Sequence, residues 1–108
     1  MMQINEIQQR FSNVERTINQ VTQACETGSN MPQDLKDCVQ KLDQETGRTK
    51  QVLQSQDQKR IVECVDNLEQ LSDRTEQAVE RASNLDANIR NAVMQAHREL
   101  STLKHQLH

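Results

Sequence analysis

The chain predicts an all-α protein, an antiparallel up-down four-helix bundle made of two repeated helical hairpins. Apolar residues recur every three or four positions along four separate stretches, the period of an amphipathic helix. Residue i equals residue i+54 in 12 of 54 comparisons, where a Gln-rich chain gives ~4 by chance. With 2 Gly and 1 Pro in 108 residues, breakers are too few for many short strands and suit a few long helices.

The first helix is marked by Ile4, Ile7, Phe11, Val14, Ile18, Val21 and Cys25, stepping by three and four in alternation like the seam of a coiled coil. Gly28-Ser29-Asn30-Met31-Pro32 ends it, since Gly suits the position just past a helix and Pro the first turn of the next. The second helix is expected over 32–53, with a face of Leu35, Cys38 and Val39, Leu42, Thr46, Thr49, and Val52 with Leu53. Gly47 lies between the two threonines and costs ~1 kcal/mol relative to Ala inside a helix, so this is the predicted soft spot.

Between the halves, Ser55 and Gln58 have the spacing of a capping box, which predicts a turn over 54–58. No Gly or Pro enforces that turn. The alternative is one long central helix over 32–82, two chains then exchanging hairpins in a swapped dimer. The third helix, 57–82, carries Ile61, Cys64 and Val65, Leu68, Leu71, Thr75, Ala78 and Val79, and Ala82. Ser83 followed by Asp86 reads as the next helix start. The last helix presents Ile89, Ala92 and Val93, Ala96, Leu100, Leu103 and Leu107. The repeat thus divides a single domain, 1–108, into 1–54 and 55–108, with Thr46 and Thr49 standing where the second half has Leu100 and Leu103.

Composition removes several classes of function. The formal charge of −3 divides as 6 basic against 7 acidic residues over 1–54 and 7 against 9 over 55–108, so neither half is a basic patch for nucleic acid or an anionic membrane. No apolar run approaches the ~18–20 residues of a membrane span. The opening Met1-Met2-Gln3-Ile4 lacks the pattern of a secretory signal, and three Cys fit a reducing cytoplasm better than a disulfide framework. A total of 16 Gln and 8 Asn alternates with apolar positions at helical spacing, as solvated faces or polar helix–helix interfaces do.

Candidate chemistry is sparse. Cys25 and Cys38 flank the first turn, which makes a thiol pair or half of a metal site conceivable, and Cys64 falls near the height of His105 at the other end. All three Cys lie on or beside apolar seams, where a free thiol serves as a small apolar residue. His97, His105 and His108 read as solvated residues of the last helix. Glu45 and its counterpart Glu99 flank the core face and are the best candidates for inward carboxylates, most simply as boundary ion pairs. The polar gaps Thr46/Thr49 and Ser72/Thr75 could weaken the core or mark a groove for a partner helix, with ordinary tolerance of a polar residue the simpler account of any one of them.

There is no nucleophile motif, phosphate loop, Glu-x-x-His or C-x-x-C. The expectation is a non-enzymatic protein–protein interaction or scaffold module acting on a partner or on a second copy. It includes no cofactor, metal, nucleic acid, membrane or small-molecule substrate. The alternative is a thiol- or metal-responsive sensor using Cys25/Cys38 or Cys64/His105.

Overall fold

A computed structural model describes residues 3–27, 31–82 and 85–108. Four helices follow in order, α1 (Ile4–Thr27), α2 (Gln33–Ser55), α3 (Gln58–Arg81) and α4 (Ala87–Leu107), in a body of 41 × 21 × 18 Å. The described residues form no strands. Each helix packs on two others, α1 and α3 both lying against α2 and α4, as in a four-helix bundle. The Gly28-Ser29-Asn30 part of the first turn and the Ser83 part of the proposed α4 start lie outside the described residues.

The alternative of an unbroken helix over 32–82 is overturned. α2 stops at Ser55, and Gln56 takes a left-handed conformation (φ 61°) with its N–H donating to the Leu53 carbonyl. A non-Gly residue in that region costs roughly 1–2 kcal/mol, so the surrounding packing fixes a turn that no Gly or Pro announces. The Ser55–Gln58 capping box does not form either. Asp57 is the extended N-cap of α3 and accepts from the Arg60 N–H at 3.4 Å, while the Ser55 hydroxyl turns back to the Val52 carbonyl at 2.6 Å. The residue adjacent to the helix and already extended wins the capping position. Asp86 caps α4 likewise, accepting from the Asn88 N–H at 2.9 Å.

All four helices keep one register, stepping by four, three, four, three and four. It runs Ile7, Phe11, Val14, Ile18, Val21 and Cys25 in α1, then Leu35, Val39, Leu42, Thr46, Thr49 and Leu53 in α2. In α3 it runs Ile61, Val65, Leu68, Ser72, Thr75 and Val79, and in α4 Ile89, Val93, Ala96, Leu100, Leu103 and Leu107. Every one is buried except Cys25, which is half-buried. The early part of α1, the late part of α2, the early part of α3 and the late part of α4 share one apolar cluster; the opposite ends share a second. Start meets end in this way when consecutive helices run in opposite directions.

The alignment stacks the register into layers and brings positions 54 apart to the same height on diagonal helices. Several of these diagonal pairs set a large residue against a smaller one, as Phe11 with Val65, Ile18 with Ser72, Leu42 with Ala96, Thr46 with Leu100 and Thr49 with Leu103, whereas Ile7 with Ile61, Val39 with Val93 and Leu53 with Leu107 are identical. Where the pair is unequal, the smaller residue leaves room for the larger one.

The hydroxyl residues are therefore core, not gaps. Thr46, Thr49, Ser72 and Thr75 are all buried, and each donates to a carbonyl of its own helix one turn back, at 2.6 to 2.7 Å. Among the described residues no buried side-chain donor or acceptor lacks a partner. Their burial agrees with polar residues tolerated within the core and leaves no groove at these positions. In α3 the register also selects Ser72 over Leu71, which stands half-buried at the flank. Gly47 is exposed on α2, and a methyl group placed on it meets nothing within 4 Å.

Leu68 is fully buried in the larger cluster, so Leu68→Ala is expected to cost ~2–5 kcal/mol by thermal or denaturant unfolding, with exposed Gln70→Ala close to neutral. An unchanged midpoint for Leu68→Ala would refute the register. Gly47→Ala should raise stability by ~0.5–1 kcal/mol, since it removes chain entropy from the unfolded state and adds no clash; a destabilised protein would mean that α2 does not run straight through this residue.

Candidate functional site

The polar chemistry of this protein lies on the flanks of its helix pairs. Along α3, Asp66, Glu69, Asp73, Glu76 and Glu80 step by three and four beside the buried seam, forming an acidic stripe. Along α4, Arg90, His97 and Lys104 recur every seven residues, with His108 one turn further. The two series meet. Lys104 Nζ lies 3.5 Å from Glu69, and His108 Nε2 lies 3.0 Å from Asp66. His97 sits at the centre, with Nε2 at 3.4 Å from Glu69 and 3.8 Å from Asp73, and Nδ1 bonded to Glu76.

His108 is exposed, as expected, and rests on Asp66 at the end of the seam. His97 was expected to be solvated, and that reading is corrected: its side chain is 24% exposed and lies between three carboxylates. Both ring nitrogens of His97 face carboxylate oxygens. The signal was in the sequence as two charge series with coiled-coil flank spacing, acids on one helix and bases on the next. His105 is exposed, as expected from its position off the apolar face.

The two inward carboxylate candidates part company. Glu45 makes the expected boundary pair, with Arg48 at 3.9 Å. Glu99 instead accepts from the buried Thr17 hydroxyl at 2.6 Å, across α1 and α4; that hydroxyl also lies 3.0 Å from the Asn13 carbonyl. Sequence reasoning missed Thr17, because it stands one position from Ile18 and carries no apolar signal of its own.

The cysteines are free and half-buried. Cys25 packs against the smaller apolar cluster and lines the cleft between α1 and α2, and Cys64 packs against the larger cluster. Burial pushes the Cys25 thiol above its ordinary range, and the nearby Lys36 ammonium partly opposes that. A raised thiol pKa means less thiolate at neutral pH and weaker nucleophilicity and metal affinity. Among the described residues no three or more His, Cys, Asp or Glu side chains gather as a metal-binding group, so neither Cys25/Cys38 nor Cys64/His105 extends into one.

Shallow clefts follow the helix flanks. One of about 560 Å³ lies between α1 and α2, around Cys25, Lys36 and Gln40. Another of about 420 Å³ lies between α2 and α3, lined by Lys41, Gln44, Glu45, Arg48, Asn67, Gln70, Leu71 and Arg74. Among the described residues Met94 is the one large apolar side chain with substantial exposure, at 41%. No described helix is long and apolar enough to cross a membrane. Comparison with protein-family models, curated proteins and solved structures gives no significant match for this chain.

The Thr17–Glu99 bond links helices that share no other described polar side-chain contact. Thr17→Val should cost ~1 kcal/mol, and the loss should vanish in a Glu99→Ala background. Additive losses in a double-mutant cycle would show that the two side chains act independently.

Proposed function

We propose that this protein is a non-enzymatic interaction or scaffold module of the cytoplasm that binds a protein partner, or a second copy of itself, through its helix flanks. The observation that carries this reading is where the polar groups lie. They line shallow clefts between neighbouring helices, while the interior is filled layer by layer with aliphatic and self-bonded hydroxyl side chains. An enzyme pocket is typically a concavity with convergent polar groups and water excluded. A flank cleft that is open and rich in amides instead suits contact with another helix, where polar and charged groups set orientation and partner choice. The duplicated hairpin and the coiled-coil spacing fit the same reading, because each half offers a similar helical surface.

The sensor alternative finds less support. A responsive thiol needs a stabilised, accessible thiolate, and burial moves Cys25 the other way. Two measurements test the proposal. Thiol titration with and without zinc should give the same alkylation rates for Cys25, Cys38 and Cys64, and zinc protection of any of them would favour the sensor. Light scattering across a concentration series, with capture on immobilised chain competed by free chain, should reveal self-association or a partner. A strictly monomeric protein with no competed capture would sink the interaction reading.

A further inference from the structure

The cleft between α2 and α3 gathers three cations, against two, Arg10 and Arg98, in the cleft between α1 and α4. On the α3–α4 flank, Glu69 and Asp66 meet Lys104 and His108; between α1 and α2, Glu15 meets Lys50 at 3.3 Å. One end of the α2–α3 flank follows the same rule, with Arg81 at 3.6 Å from Asp34. Its middle does not. Lys41, Arg48 and Arg74 line the same cleft and are exposed, and Glu45, at 3.9 Å from Arg48, is the one carboxylate among them. Among the described residues Lys41 and Arg74 pair with no carboxylate. The protein carries a net charge of −3, yet here it gathers three cations over two helical turns. Like charges facing one another across a packed flank oppose that packing, and a carboxylate arriving from outside relieves the opposition.

We propose that the α2–α3 cleft docks an acidic helical segment of a partner protein; this rests on the interaction reading above and names its surface and partner chemistry. Lys41 and Arg48 are seven residues apart on one helix, ~10.5 Å at 1.5 Å per residue. A partner helix with a carboxylate every seventh residue presents the same repeat and reaches both, while Arg74 meets the first carboxylate from the α3 side. The amides of Gln44, Asn67 and Gln70 supply neutral donors and acceptors, and half-buried Leu71 gives the floor an apolar contact. Nucleic acid fits poorly, because Asp37, one turn before Lys41 on α2, and Glu63, one turn before Asn67 on α3, bound this short patch and repel a continuous polyanion.

The experiment titrates the isotope-labelled full chain with a designed Gln/Ala helical peptide bearing Glu at every seventh position, following backbone amide shifts. Expected are shifts confined to 41–48 and 67–74, weakening from ~50 to ~200 mM salt as exposed charge pairs are screened. Lys41→Gln and Arg74→Gln should each weaken binding by ~2–5-fold, whereas Lys36→Gln, in the other cleft, should leave it unchanged. A peptide with Gln in place of every Glu should not bind. The proposal is overturned by an absence of shifts, by shifts on another face, by equal binding of the Gln peptide, or by inorganic phosphate alone reproducing the pattern. None of these outcomes touches the competed-capture test, so the surface can fail while the interaction reading stands.

Discussion

The structure depends on the burial of one register of side chains contributed by all four helices. Residues 54 apart stand at the same height on the diagonal, some as unequal pairs, a Phe against a Val, two Leu against two Thr, an Ile against a Ser, and others as equal ones, Ile7 with Ile61 and Leu53 with Leu107. Native-like packing density asks that neighbouring side chains fill the space each pair leaves, and departures in either direction cost on the order of 1–5 kcal/mol. The threonines of α2 stand across from the leucines of α4. Their hydroxyls add no desolvation penalty, because each is satisfied by a carbonyl of its own helix.

The hydroxyl layer of α3 has a second effect. Ser72 and Thr75 occupy consecutive register positions between Leu68, in the larger apolar cluster, and Val79, in the smaller. The core is consequently two aliphatic bodies joined by a polar waist rather than one continuous column. His97 and its three carboxylates sit at the same height on the α3–α4 flank, and Thr17–Glu99 crosses α1–α4 nearby. Polar bonds with directional geometry are concentrated where apolar contact is least continuous, which fixes helix register at the waist while the ends rely on burial.

How much of this was legible in the sequence follows from the type of signal each feature carries. Four helices and their buried faces could be read because Ile, Leu and Val recur at a fixed period. The turn at Gln56 could not, since a left-handed Gln has no local signature and is imposed by packing of the hairpins on each other. Ser72 was readable by holding the four-three step strictly; Leu71 drew attention because hydropathy ranks residues one at a time. The His97 cluster was missed for a related reason: its acids and bases lie on different helices, and their meeting depends on the relative height of α3 and α4. Thr17 has no such signal at all. Its partner across the helices, Glu99, is 82 residues away.

The core is filled by the buried register, and opening it would cost free energy comparable with the stability of a small domain. The charged groups lie on the four flanks, and the flanks differ in how they use them. α3–α4 sets His97, Lys104 and His108 against its acids, an arrangement made within its own two helices. α1–α4 commits Glu99 to Thr17. α1–α2 carries one ion pair and a half-buried, weakly reactive thiol. α2–α3 keeps Lys41 and Arg74 outside any ion pair among the described residues, and the α1–α4 cleft does the same with Arg10 and Arg98. Displacing an internal pair loses that pair's energy before any new contact forms, whereas filling an unmet charge does not. The docking proposed above therefore draws on the cleft with three cations, α2–α3, ahead of the internally paired α3–α4 flank.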